Sequence, residues 1–149
     1  MFKPLIALVV FWPSTLHAEN LGLTVSKGIE ETPGNYVELH YNSPILNCFL
    51  LEGTAGYFSE PDRGIFSVGA GLDVPVHENV YVQGVAGPAY LTKETDRLGG
   101  NFQFLLKGRV GITVDRFKVG ALYSHISSAG IYEPNQGNDY LGLELGVDF

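Results

Sequence analysis

The chain has 149 residues, with nine basic and 16 acidic side chains, a formal net charge of −7 and one cysteine. An acidic chain without a basic cluster is excluded as an electrostatic reader of nucleic acid. A lone cysteine, Cys48, excludes an internal disulfide and a thiolate metal site, and the length supports one domain.

Met1-Phe2-Lys3 is a short basic start, and the apolar run from Leu5 to Trp12 falls short of the roughly 20 residues a membrane-spanning helix needs. With Ala18 ahead of Glu19 as the cleavage position, residues 1–18 read as a secretory signal peptide. Residues 19–149 are then the folded unit, one unit more acidic for the loss of Lys3.

Beyond Ala18 no segment keeps a helical period, whereas two-residue alternation recurs throughout. Leu21, Leu23 and Val25 alternate with Gly22, Thr24 and Ser26; Val37, Leu39 and Tyr41 alternate with Glu38, His40 and Asn42. A third run sets Phe49, Leu51, Ala55 and Tyr57 against Leu50, Glu52, Thr54 and Gly56. The fourth sets Phe66, Val68, Ala70, Leu72 and Val74 against Ser67, Gly69, Gly71 and Asp73. The fifth, Tyr81 to Thr92, is the least regular and contains Pro88. In the sixth, Phe102, Phe104, Leu106, Val110 and Ile112 oppose Gln103, Lys107, Arg109 and Thr113. The seventh alternates Phe117, Val119, Ala121 and Tyr123 with Lys118, Gly120 and Ser124. The eighth alternates Leu141, Leu143, Leu145, Val147 and Phe149 with Gly142, Glu144, Gly146 and Asp148. The pattern predicts eight strands.

Composition decides which face meets what. The polar set is rich in glycine, and its charges have both signs: Glu38, Glu52 and Glu144 with Lys107, Arg109 and Lys118. That mixture suits a narrow, crowded interior. The apolar set is large, branched or aromatic and carries no charge in strands six to eight, as contact with lipid demands. Strands of about nine to eleven residues match a tilted membrane crossing. The last strand, apolar at alternate positions back from Phe149, resembles the terminal strand of bacterial outer-membrane proteins. The expectation is an all-β, eight-stranded antiparallel transmembrane barrel of the outer-membrane type.

Connections should alternate long and short: 29–34 and 59–63 long, the stretches around Ser43-Pro44 and from Val76 to Asn79 short. Then 92–100 is long, Asp115-Arg116 tight and 128–138 long. Outer-membrane barrels keep short turns on the periplasmic side and longer loops outside. Strand seven therefore climbs outward.

His125 and Ser127 lie two apart at the outer end of that strand, on one face. They share the parity of the lipid-facing residues, and Asp139 shares the parity of Leu141 to Phe149. A hairpin between strands seven and eight brings Asp139 beside His125. A serine, a base to take its proton and a carboxylate to orient the base form an activated nucleophile for ester cleavage. The same trio also reads as an ordinary strand pair followed by a turn aspartate. Polar groups at a lipid-facing boundary are costly unless paired, although the interface tolerates them.

The segment His125-Ile-Ser-Ser-Ala-Gly-Ile-Tyr-Glu-Pro-Asn-Gln-Gly-Asn-Asp139 resembles the signature of the lipid A 3-O-deacylase (PagL-type) family: His-x-Ser-Asn-Ala-Gly, then Pro-Asn-x-Gly, then Glu. His125, Ser127, Ala129, Gly130, Pro134, Asn135 and Gly137 match in register. The resemblance implies an outer-membrane, cofactor-free esterase acting on lipid A of lipopolysaccharide at the outer leaflet. It makes Ser127 the nucleophile and His125 the base, with Asp139 standing where the family has Glu. Gly130 N–H and the Asn135 side chain are candidate oxyanion donors. Ser128 replaces the family's Asn, which removes an amide from the loop or oxyanion site, and Asp139 is one methylene shorter than Glu.

Other residues read as structural. His40 shares the inner face with Glu38, and His77 sits in a periplasmic turn away from His125, so three histidines cannot meet at a metal. Gly69-Ala-Gly71 is too short and strand-embedded for a nucleotide fingerprint. Tyr123, Tyr132 and Tyr140 could touch substrate, but interfacial tyrosines are ordinary in membrane barrels. Two other readings stay open: a catalytically inactive small barrel with a structural or adhesion role, and a soluble lipocalin-like carrier, which the terminal-strand pattern disfavours. Acyl-chain preference, divalent-cation dependence and self-association as a homodimer are not written in the sequence.

Overall fold

The computed structural model describes residues 19–149; the expected signal peptide, 1–18, lies outside the described residues. Eight strands follow: β1 (Asn20–Gly28), β2 (Asn35–Leu46), β3 (Phe49–Ser59), β4 (Asp62–His77), β5 (Val80–Leu91), β6 (Phe102–Val114), β7 (Phe117–Ser127) and β8 (Asn138–Asp148). Each pairs with the next, and β8 pairs antiparallel with β1, so the sheet closes on itself. Closure leaves no edge carrying unpaired backbone groups, which is the condition for a sheet to cross a bilayer.

Alternation along the strands sorts the side chains as the sequence predicts. Leu23, Val68, Val110 and Leu143 point outward and stay exposed, Leu143 at 72%. Thr24, Glu38, Glu52, Gln83, Lys107, Arg109 and Glu144 are buried inside. An apolar exterior around a polar, packed interior is the arrangement of an outer-membrane barrel.

Three boundaries differ from the sequence expectation, two of them at prolines. β2 runs through Pro44 to Leu46, because a register shift between Pro44 and Leu46 absorbs the proline. The expected long 59–63 loop is a two-residue turn, Glu60-Pro61; β3 and β4 extend beyond their apolar stretches to meet it. β4 likewise continues to His77, which narrows the expected turn to 78–79. Pro88 stays within β5, and the β4–β5 ladder breaks at its level, between Ser67↔Ala89 and Ala70↔Ala86. Proline has no N–H to complete that rung.

The interior is layered. Near the long-loop end an apolar cluster includes Tyr36, Phe58, Ile65, Leu91, Ile126 and Tyr140, with Tyr36 stacked on Phe58 at 4.4 Å. Leu98, from the 92–101 connection, folds in over it and is fully buried. Below lies an ion network: Lys107 Nζ is 2.8 Å from Glu38 and 2.7 Å from Glu52, and Arg109 is 2.6 Å from Glu52. His40 is buried there, its ring nitrogens 3.5 Å from Glu38 and 3.6 Å from Glu144. That ring occupies the space in front of Gly22, where a Cβ would lie 2.2 Å from Nε2. At the short-turn end Lys118 sits between Asp73 and Asp148 at 3.3 and 3.6 Å. The lumen is filled, and the candidate site sits on the outside of the wall.

Candidate active site

β7 and β8 put His125 and Asp139 directly opposite each other in the ladder. Both are outward-facing, at the long-loop end of the hairpin. Directly opposed residues have Cα atoms about 5 Å apart, close enough for a short aspartate to reach across. Nδ1 of His125 lies 2.8 Å from Oδ1 of Asp139. An ionised carboxylate only accepts, so Nδ1–H donates and Nε2 is left with its lone pair. The histidine side chain is 35% exposed and the aspartate 21%, so the pair sits at the surface of the wall.

Several elements hold this pair. Tyr123, two residues below His125 on the same face, donates from its hydroxyl to Asp139 Oδ1 at 2.5 Å. From the 29–34 connection, Thr32 Oγ1 accepts from the Asp139 N–H at 2.9 Å, and Ile29 N–H donates to the Asp139 carbonyl at 3.0 Å. Arg97 reaches over from the 92–101 connection. Its Nε donates to Asn138 Oδ1 at 3.0 Å and its NH2 group to the Gly137 carbonyl at 3.2 Å. The Asp139 backbone is thus held by the 29–34 connection and its carboxylate by β7, while Arg97 ties down the two residues before it.

Ser127 ends β7, one outward-facing step beyond His125, and its partner on β6 is Phe104; the β6 partner of His125 is Leu106. Both partners are exposed apolar side chains, and Phe102 meets Phe104 edge-on at 5.4 Å. The chain then turns sharply through Ala129 and Gly130, both left-handed at φ 52° and 83°. Asn135 folds back to accept the Ser128 N–H on its Oδ1 at 2.9 Å, which leaves its amide N–H groups to donate elsewhere. Ser128 is fully buried, and its hydroxyl lies 3.3 Å from the Tyr132 N–H and 3.4 Å from the Tyr132 carbonyl. The serine that replaces the motif's Asn is thus a loop lock.

Residues 35–148 match the family described as lipid A 3-O-deacylase (PagL). The chain belongs to the PagL family. No curated protein matches it in sequence. Among solved structures it is similar to the outer membrane enzyme PagL, at 15% identity and a TM-score of 0.69, over 87% of this chain and 99% of that one. A de novo designed transmembrane β-barrel is similar at 11% identity and a TM-score of 0.70, covering 89% of this chain and 96% of that one. The outer membrane protein Ail of Yersinia pestis in a phospholipid bilayer nanodisc is similar at 14% identity and a TM-score of 0.57, covering 89% and 99%. At these identities the likeness is one of fold: an outer-membrane barrel.

Sequence reading brought His125, Ser127 and Asp139 to one face and placed Gly130, Asn135 and Ser128 in the loop beside them. It missed Thr32 and Arg97, which lie far away in the chain and carry no pattern of their own. Tyr123 was visible as a third member of the His125–Ser127 face, but only the cross-strand contact gives it a partner. Tyr140 has the opposite parity and is buried in the lumen. Tyr132 packs its ring over Gly100, where a Cβ would lie 2.6 Å from the ring.

Proposed function

We propose that this PagL-family barrel is an esterase that removes the 3-O-linked acyl chain of lipid A at the outer leaflet. The observation that carries the reading is the His125–Asp139 hydrogen bond, formed on the bilayer-facing wall with Ser127 one step above it. A lipid ester can reach such a site only from within the membrane plane. Phe104 and Leu106, the β6 neighbours of Ser127 and His125, offer apolar surface beside the nucleophile for an acyl chain.

In this mechanism Ser127 Oγ attacks the ester carbonyl carbon while His125 Nε2 takes its proton, with Asp139 holding the imidazole and stabilising the imidazolium. The carbonyl oxygen becomes an oxyanion, met by the Gly130 N–H and the Asn135 amide. Collapse expels the sugar 3-oxygen, which takes the proton from His125 and leaves as the alcohol. Water, activated by the same histidine, then hydrolyses the acyl-serine to free fatty acid and regenerated Ser127. Every atom is supplied by enzyme, lipid and water.

The test is mass spectrometry of lipid A from cells making the wild type or Ser127→Ala. Loss of one 3-linked acyl chain with the wild type alone supports reaction and nucleophile together. Deacylation that persists with folded Ser127→Ala removes the serine mechanism. No deacylation by a folded wild type removes the esterase.

A further inference from the structure

Tyr123 makes the contact that the motif does not account for. Its hydroxyl and the His125 Nδ1 both donate to one oxygen, Oδ1 of Asp139, at 2.5 and 2.8 Å. Tyr123 lies on the same strand face as His125, one step deeper in the wall, where its β8 partner is Leu141. Both groups therefore reach the carboxylate from β7, the imidazole from directly opposite and the phenol from one step deeper in the wall. A hydroxyl donating to an ionised carboxylate makes a charge-assisted hydrogen bond, about twice as strong as a neutral one.

We infer that Tyr123 is a positioning residue, which locks the short Asp139 carboxylate in the rotamer that orients His125. This inference rests on the esterase reading of the same site. The physical need arises from the aspartate itself. With a single methylene, its carboxylate meets Nδ1 only while Oδ1 faces the β7 strand, and with a fifth of the side chain exposed, rotation toward water competes. A second donor on the same oxygen opposes that rotation. Thr32 and Ile29 fix the Asp139 backbone but touch neither carboxylate oxygen, so rotation about the side-chain bonds is left to Tyr123.

A second tyrosine–aspartate pair on the barrel provides the contrast. Tyr57 donates to Asp62 at 2.6 Å, but that carboxylate is 67% exposed and its other neighbour is the surface Lys93 at 3.5 Å. There the phenol merely has an acceptor at the interface, the ordinary condition of a belt tyrosine. Of the two pairs, that at Asp139 shares its accepting oxygen with a histidine.

The experiment uses the full barrel in detergent micelles, with lipid A as substrate and the His125 ring labelled with 15N. Tyr123→Phe keeps the ring and loses the hydroxyl, at an outward-facing position where the fold does not depend on it. The expected result is a kcat about tenfold lower with KM changed less than about twofold, since a hydrogen bond to a charged group is worth roughly that much. The Nδ1–H resonance of His125, expected to be sharp in the wild type, should broaden through faster exchange with water, and it should be lost in Asp139→Asn, where the proton moves to Nε2. A raised KM with unchanged kcat, or an Nδ1–H resonance unaltered by Tyr123→Phe, overturns the inference and makes Tyr123 a substrate contact or a belt residue. If the wild type deacylates nothing, the esterase reading fails, and the resonance alone decides: broadening upholds the positioning role, persistence overturns it.

Discussion

A Cβ on Gly137 would lie 2.9 Å from Cε1 of the His125 ring, so the backbone of this glycine is the wall against which the imidazole rests. Gly137 also has φ +69°, which an L side chain rarely adopts. Gly137→Ala should therefore push the ring away from Asp139 as well as strain the loop. A displacement of about 1 Å can cost on the order of 100-fold in rate. We expect kcat on lipid A to fall between about 10- and 100-fold, with the barrel still folded by heat-modifiable gel migration. Wild-type turnover in a folded variant would mean that His125 has no catalytic duty.

Asp139→Asn separates charge from shape. The amide fits the same space, but it can present a donor to Nδ1, which favours the tautomer carrying its proton on Nε2. That tautomer cannot accept from Ser127, and in the serine-protease triad the same change lowers kcat by about 10⁴. Here kcat should drop by on the order of 100-fold or more, with lipid binding retained. Steady-state kinetics in micelles check it, and a kcat within about twofold of wild type would remove Asp139 from the mechanism.

The face of each residue was legible because strand parity is a local property. One alternation rule assigns Leu143 to lipid, Lys107 to the lumen, and His125 and Ser127 to the wall. Strand ends were less legible. Pro44 and Pro61 read as loops, yet a bulge takes up the first and a two-residue turn the second, both decided by neighbouring strands rather than by the proline. The motif names the members of the proposed site through their spacing. It could not give Thr32 or Arg97, whose contacts to Asp139 and Asn138 span 107 and 41 residues of sequence. Such partners become visible only when the barrel brings three outer connections together.

The lumen ion network carries a stability prediction. Lys107 bridges Glu38 and Glu52 and also donates to Thr54 at 2.8 Å, and all of these groups are buried. Removing one partner of a buried pair leaves an uncompensated charge at a cost of about 3–5 kcal/mol. Lys107→Met should lower the urea midpoint of the refolded barrel accordingly, and adding Glu52→Gln should recover part of the loss. An unchanged midpoint for the single variant would mean that water replaces the ammonium without cost.

Leu143 tests the orientation on which the site depends. It sits in the middle of β8, outward and 72% exposed, between Val25 of β1 and Ala121 of β7. If that face meets hydrocarbon, Leu143→Arg must bring a cation to the middle of the bilayer, at about 2–4 kcal/mol. The same arginine in a soluble barrel would be solvated and nearly neutral in effect. Urea titration in phospholipid vesicles should therefore show a clear loss of stability, and a smaller one in detergent, where water reaches the surface more easily. Equal midpoints for wild type and Leu143→Arg in vesicles would mean that this face does not meet lipid. His125 and Ser127, which share its face of the wall, would then no longer be open to a lipid ester from the membrane plane.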